Sequence, residues 1–282
     1  MALDNFIPEL WAREALFHLD KRLVWAQPGV VNRDYEGEIA QQGDTVRINR
    51  LGPVTVGTYT KNTPISDPEV LTSDQRVLTI DQAKFFNFMI DDIDNAQTTP
   101  KLMGPAMERA SYGVAKVIDS YVASLAVAGA DAANVVGGTT PVDLSAKGSV
   151  YDQLVDMGTL LDDQDVPEGQ RWLIAPPAFV NALAKDDRFM GHSAASAEDI
   201  RRNGFAGEAA GFFIMKSTNS AANTAVMGIP QALSFAAQIP PGTMEPYRPE
   251  KYFADAVKGL TLYGGKVIEP KALAVLKYDL TA

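Results

Sequence analysis

The chain has 282 residues, 46% of them hydrophobic, no cysteine, two histidines and a formal charge of −10. That is apolar material for one or two packed cores, while the absence of cysteine excludes disulfide frameworks, thiolate nucleophiles and cysteine-ligated zinc or iron–sulfur centres. The acidic balance excludes a protein that grips nucleic acid over a broad face, because that affinity comes from Lys and Arg neutralising phosphates.

No apolar run approaches the roughly 18–20 residues of a membrane helix; the stretch from Val122 to Val136 is interrupted by Gly129 and Asp131. Met1-Ala2-Leu3-Asp4-Asn5 lacks the basic and apolar regions of a signal peptide, so the product is expected to stay in the cytoplasm where it is made. From Ile7 to Gln27, Leu10, Trp11, Leu16, Phe17, Leu19, Leu23, Val24 and Trp25 recur at three- and four-residue steps. This predicts an amphipathic helix, opened by Pro8 in its first turn and ended by Pro28-Gly29. Trp11 and Trp25 on a terminal helix need a surface to cover, either the chain's own core or a neighbouring subunit.

At Asp44 the period changes to two. Thr45-Val46-Arg47-Ile48-Asn49 alternates, Val54-Thr55-Val56 continues it, and a second strand region runs from Arg76 through Ile80 to Phe85 and Ile90. Between them lies a long polar stretch with Pro64, Asp67, Pro68 and Asp74, which predicts an extended hairpin with little core of its own. Pro100 to Val127 carries the longest helical stripe, with Met103, Met107, Ala110, Val114, Val117, Tyr121 and Leu125 on one face. At 1.5 Å per residue it makes a rod of roughly 39 Å. The Gly-, Ala- and Thr-rich stretch from Gly129 to Gly148 reads as a loop and the best internal boundary. Beyond it, helices are predicted at Tyr151 to Leu161 and Ala178 to Ala184, and strands at Arg171 to Ala175, Gly211 to Met215 and Thr224 to Met227, a mixed α+β domain. Two apolar strand-like runs, Ala256 to Val267 and Ala272 to Tyr278, close the chain. There is no fixed-period repeat.

Motifs that would carry chemistry are incomplete. Gly259 to Val267 approaches a phosphate loop, but Lys266 stands one place late and Val267 replaces the hydroxyl residue, so a strand and a turn are expected. Gly191-His192-Ser193-Ala194-Ala195 resembles a nucleophile elbow with Ala in place of the last Gly and no preceding strand. The other histidine, His18, falls within the first predicted helix, so the choice of base for a Ser193 hydrolase is thin and parts of the triad template are missing. Carboxylates cluster at Asp91-Asp92-Ile93-Asp94 and Asp162-Asp163-Gln164-Asp165. A calcium loop sets acids at alternating positions before a Gly and a distant Glu; neither cluster does. The first is expected at a strand exit and the second at a helix C-terminal turn before Pro167, both solvated. No catalytic, cofactor or metal residue is assigned.

One pattern is specific. Val31-Asn32-Arg33-Asp34-Tyr35-Glu36-Gly37-Glu38, followed by Gly43-Asp44-Thr45-Val46-Arg47-Ile48, resembles the opening of a family of tailed-bacteriophage coat proteins, placed just after a helical N-terminal arm. Asp165-Val166-Pro167 through Pro176-Pro177 is similar to the helix, Val-Pro turn, strand and double-proline element of such proteins, and Phe253 to Leu260 with Tyr263-Gly264 is similar as well.

The resemblance implies the Hong Kong 97-like α+β capsid fold. Its parts would be an N-terminal arm over 1–33, an extended β-loop over 34–90, a peripheral domain with a spine helix over 91–148, an axial domain over 149–244, and C-terminal strands over 245–282 returning to the peripheral domain. It implies a major capsid protein, no enzyme, that self-assembles into hexamers and pentamers of an icosahedral shell in the host cytoplasm. The shell encloses double-stranded DNA without sequence-specific binding. Trp11, Trp25, Arg33, Tyr35, Val54, Val56 and Tyr59 are the candidate subunit-interface residues. No segment has room for the inserted β-domain of some relatives, and the arm begins close to Met1, so a separate scaffolding protein, a portal protein and a decoration protein are the implied partners. Lys61-Asn62 lacks an identifiable acid and partner for the isopeptide cross-link of some relatives and reads as a solvated loop pair. Two alternatives are an encapsulin shell around an enzyme cargo and a small hydrolase using Ser193 and His192.

Overall fold

A computed structural model describes residues 23–34, 45–51, 54–62, 64, 67–70, 73–93, 103–146, 148–185, 205–238 and 245–281. The described chain begins where the first predicted helix was expected to end, and Leu23 to Gln27 is not helical. The backbone N–H groups of Val24, Trp25 and Ala26 donate to the Asp119 carboxylate instead of to carbonyls one turn back. Amides held by a distant acceptor cannot close helical hydrogen bonds. Pro28-Gly29 then turns the chain, with Gly29 at φ +102°, and Asn32 joins a strand further on through its N–H to the Leu233 carbonyl at 2.8 Å.

Strands β1 (Thr45–Leu51) and β2 (Ser73–Thr79) form a separate antiparallel ribbon, Val46 facing Leu78. Their alternation does what a period of two requires. Val46, Ile48, Leu78 and Ile80 turn inward onto Ala236 and Leu262, while Thr45, Arg47, Val77 and Thr79 face out. Each such buried aliphatic contributes roughly 1.5–3 kcal/mol, which fixes the ribbon at its base. Strand β3 (Gln82–Asp91) was grouped with this hairpin from the sequence; it pairs along its length with the C-terminal strand 254–267, from Gln82–Tyr263 to Asp91–Ala254.

Helix α1 (Met103–Gly129) is the long rod the stripe predicted, turned from the expected face. Ser111, Val114, Ala115, Ile118, Asp119, Val122, Ala123 and Ala126 are buried, whereas Val117 is 43% exposed. The face that packs is the one with small residues, which permit close approach, and with Asp119, which holds the 24–26 amides.

The stretch after α1 is not merely a loop. A 3-10 turn at Ala132–Asn134, capped by Asp131, leads into β4 (Val135–Val136) and β5 (Val142–Asp143), both laid parallel on the last strand of the chain. Then follow α2 (Ser149–Asp162), β6 (Trp172–Ala175) and α3 (Pro177–Leu183), the last started by a proline whose missing N–H costs nothing in a first turn. Strands β7 (Phe205–Ala209), β8 (Phe212–Lys216), β9 (Thr224–Gly228), β10 (Leu233–Gln238), β11 (Glu245–Tyr247), β12 (Ala254–Val267) and β13 (Leu273–Asp279) complete the described fold. β7, β10 and β11 were not anticipated.

Two larger sheets result. One joins β10, β12 and β11, with β3 also on β12. The other has the order β4-β13-β9-β6-β8-β7, with β5 also on β13. Of the two long C-terminal strands, β12 therefore runs beside β3, while β13 enters the second sheet beside β9. β6, Trp172-Leu-Ile-Ala175, lies between β8 and β9 and is buried on both faces, which accounts for its unbroken apolar run. The main core gathers Trp25, α1, α2, α3 and this sheet, with Trp25 edge-on to Trp172 at a ring separation of 6.0 Å.

The near phosphate loop is wholly strand, part of β12. A Cβ on Gly264 would lie 2.2 Å from the Thr79 carbonyl oxygen, and one on Gly259 would lie 2.4 Å from the Phe86 ring. These glycines let β2 and an aromatic side chain press onto β12; they cradle nothing.

Candidate functional site

The surface most in need of a partner is the segment beyond the β1–β2 ribbon. Val54–Thr60 is irregular, without a ladder among the described residues. Val54, Val56, Tyr59 and, on the returning leg, Val70 are 64%, 93%, 69% and 87% exposed. The legs are held together by Glu69, whose carboxylate accepts the Thr55 N–H at 3.0 Å and the Thr55 hydroxyl at 3.2 Å. At Lys61-Asn62 the chain turns, with Asn62 at φ 66°, a left-handed conformation that asparagine tolerates. A segment this exposed, tied among the described residues by one carboxylate, does not hold itself in place by a core.

A second exposed apolar surface lies on β3 and the tip beside it. Phe85, Met89 and Ile93 are exposed, as are Tyr252 and Phe253 in the turn before β12. Between them a polar lattice ties the strands: the Tyr247 hydroxyl lies 3.0 Å from Asn87 Oδ1, Lys258 pairs with Glu245 at 3.0 Å, and Arg248 pairs with Asp92 and with Asp255. Such exposed pairs contribute little stability each; they fix the tip's shape.

The anchor of the N-terminal segment is Asp119, on the core face of α1 and fully buried. It accepts the N–H groups of Val24 at 3.0 Å, Trp25 at 3.1 Å and Ala26 at 3.4 Å, and the side-chain amide of Asn219 at 3.4 Å. Burial pushes its carboxyl above the usual carboxylate range, against these donors, which pull it down. No cation pairs with it among the described residues. Three parts of the chain thus meet on one carboxylate: the arm, the long helix and the 217–220 turn.

Of the candidate interface residues, Trp11 and Tyr35 lie outside the described residues, as do His18, His192 and Ser193. Arg33 is half-buried, and Val54, Val56 and Tyr59 are exposed. Trp25 is a correction: it is fully buried in the chain's own core against Trp172 and offers a neighbour no surface.

The carboxylate clusters are dispersed. Asp92 serves Arg248, and the Asp91 carboxylate accepts the Ile93 N–H. Asp162 is not simply solvated: it pairs at 2.6 Å with the buried Arg171, whose guanidinium also donates to the carbonyls of Val166 and Pro167. No group of three potential metal ligands occurs among the described residues. A surface groove of about 650 Å³ is lined in part by Leu144, Ser145, Asn181 and Lys185, with no carboxylate or histidine among the described residues of its lining. No helix among the described residues is long and apolar enough to cross a membrane.

Asp119, Glu69, and the exposed Phe85 and Met89 were missed by sequence reasoning. The signal for Asp119 was present, an acid set among the apolar residues of a helix face. The others depend on pairing across the fold.

Residues 52–276 match the family model described as phage capsid protein. The chain belongs to the phage capsid protein family. It is a structural protein, a major capsid subunit of the virion shell, with the Hong Kong 97-like fold. A solved structure from Mycobacterium phage Che8 is similar over 87% of this chain and 88% of that one, at 26% identity and a TM-score of 0.69. The capsid of the cyanophage P-SCSP1u shares the fold at 17% identity, over 86% and 85% of the two chains with a TM-score of 0.64. The capsid of Ralstonia phage GP4 does so at 14% identity, over 93% and 91%, also with a TM-score of 0.64. Among curated proteins none matches the chain.

Proposed function

We propose that this subunit assembles in the host cytoplasm into hexamers and pentamers that close an icosahedral head around double-stranded DNA, and that it catalyses no reaction. The observation that carries this reading is the projecting segment, where Val54, Val56 and Tyr59 are exposed with no core of their own. Exposed apolar surface of that kind marks an interaction site. Trp11, Arg33 and Tyr35 join those three as proposed interface residues. The parts are those of the family resemblance: an arm over 1–33, an extended loop over 34–90, a spine-helix domain over 91–148, an axial domain over 149–244 and C-terminal strands over 245–282, with β13 contributed to the axial sheet. A separate scaffolding protein, a portal protein and a decoration protein are the proposed partners. The net charge of −10 fits a wall that encloses DNA and does not grip it.

The test is the content of the particles. Particles isolated from cells in which the chain's own genome replicates are expected to hold nuclease-protected double-stranded DNA. An enzyme cargo and no DNA would instead identify a nanocompartment.

A further inference from the structure

Leu23 to Gln27 lies outside every helix and strand ladder, yet Trp25 and Ala26 are fully buried. Its hold on α1 is the Asp119 carboxylate, which takes the three successive backbone N–H groups of 24–26. The Gln27 side-chain amide adds a bond to the Met215 sulfur. The buried indole N–H groups of Trp25 and Trp172 add none among the described residues. Pro28 and the left-handed Gly29 then turn the chain. Asn32 is fastened separately, its N–H donating to the Leu233 carbonyl and its carbonyl accepting the Phe235 N–H. Residues 23–27 can therefore open as a local unit while Asn32 stays on β10.

The side-chain partner of Asp119 among the described residues is Asn219, whose amide nitrogen lies 3.4 Å from Oδ2. The turn beneath that amide is fixed. The Ser217 N–H donates to the Ala175 carbonyl of β6 at 3.1 Å, and the Asn219 N–H to the Ser217 hydroxyl at 3.2 Å. An ionised carboxylate only accepts hydrogen bonds, whereas a carboxylic acid must also donate one; a primary amide offers its N–H to the first and, turned over, its oxygen to the second. Asn219 thus serves both states of Asp119. The arm keeps an acceptor in both as well, because Oδ1 takes Val24 at 3.2 Å, Trp25 at 3.1 Å and Ala26 at 3.4 Å. What separates the two states is charge. Leu23 to Gln27, Trp172 to Ala175 and Ser217 to Ser220 carry no titratable side chain, and the nearby cations in sequence, Lys116 on α1 and Lys216 before the turn, are exposed. An ion enclosed by the docked arm without a cation is disfavoured, while one that meets water is not. Burial accordingly holds this carboxyl above its ordinary value of 3.8.

We propose that Asp119 and Asn219 form a proton-operated latch: with Asp119 neutral, residues 23–27 stay docked on α1, and with Asp119 ionised they open to solvent while both larger sheets stay folded. Linkage gives the sign. The open arm leaves Asp119 in water at its ordinary value, and the docked arm raises it. The proton's contribution to docking is therefore fully present below 3.8 and is lost as pH rises through the raised docked value. The latch acts within one subunit and does not depend on the shell reading.

Hydrogen exchange of the full-length, unassembled subunit, expressed as protection factors from about pH 4 to about pH 8, tests this. Protection of the Val24, Trp25 and Ala26 amides is expected to fall about tenfold per pH unit between 3.8 and the docked value, then to level off. The amides of β6 and β12 are expected to keep theirs. Asp119→Asn, which cannot titrate, should give a flat profile at the arm. Asn219→Ala removes the acceptor that the neutral acid needs and should shrink the fall by about threefold or more; this variant decides if Asp119→Asn does not fold. Arm protection that is constant or rises with pH overturns the latch, as does the parental pH dependence in either variant. Loss of protection in β12 in step with the arm would show unfolding of the whole subunit and overturn the local opening.

Discussion

Replacing Asp119 by Ala removes the carboxylate that accepts the N–H groups of Val24, Trp25 and Ala26 and the Asn219 amide. Trp25 and Ala26 are fully buried, so water does not replace the lost acceptor. Each buried N–H left without a partner costs about 1–3 kcal/mol. The variant recovers part of this because it no longer buries an ionised group, which leaves a net destabilisation of about 3–5 kcal/mol. For a chain of this length, that lowers the melting temperature by on the order of 10 °C. Thermal unfolding of the unassembled subunit, followed by tryptophan fluorescence, reads the loss where Trp25 meets Trp172. An Asp119→Ala subunit within about 1 kcal/mol of the parent would refute the anchor, since surface changes of no consequence fall in that range. The pH dependence gives a second reading. The folded-state carboxyl sits above its ordinary value of 3.8, so the folded chain holds this proton more tightly than the unfolded chain does. Its contribution to stability is fully present below the unfolded value and is lost as pH rises through the raised folded value. The stability of the parent relative to Asp119→Asn is therefore expected to increase as pH falls from neutrality towards 4. A decrease over that range would show that the amide donors outweigh burial.

Three further outcomes are expected. Gly264→Ala should unfold the ribbon base or abolish soluble protein, because the added Cβ would lie 2.2 Å from a backbone oxygen, whereas Gly259→Ala should be milder because the Phe86 ring can shift; equal melting temperatures for the two would contradict this. Arg171→Ala should cost about 1–3 kcal/mol by chemical denaturation, because it leaves the Val166 carbonyl without its buried donor while Asp162, half exposed, is rehydrated, and Asp163→Ala with Asp165→Ala should cost about 1 kcal/mol, from the left-handed Asp165, with no calcium dependence of particle yield. Ala210→Gly should raise the melting temperature, since Ala210 at φ 49° and Gly211 at φ 77° form a two-residue hairpin turn that favours Asn-Gly or Gly-Gly; a lowered melting temperature would show that the turn is not strained.

Much of the fold was legible where local pattern and final burial agree. The alternation of Thr45 to Ile48 survives because one face of the ribbon is covered and the other is open. The apolar run at Trp172 was readable because a strand buried on both faces has no polar side to show. What could not be read depends on partners distant in sequence. Leu23 to Gln27 continues a helical spacing, but its amides go to a carboxylate some 95 residues away. The face of α1 was misjudged because burial followed Asp119 and small residues, while the apolar Val117 was left outside. Val135 and Val142 looked like loop residues until β13 supplied their pairing partner. In the candidate site, Val54, Val56 and Tyr59 were visible as apolar residues in a segment too polar to fold on itself. Trp25 was misassigned because nothing local announces Trp172.

The central claim is that this chain builds a closed shell, and electron cryomicroscopy of the protein produced with its scaffolding partner tests it most directly. The account predicts isometric particles whose walls are five- and six-membered rings of this chain, each ribbon lying on the subunit beside it. Monomers, dimers or other small discrete assemblies under every condition would contradict it.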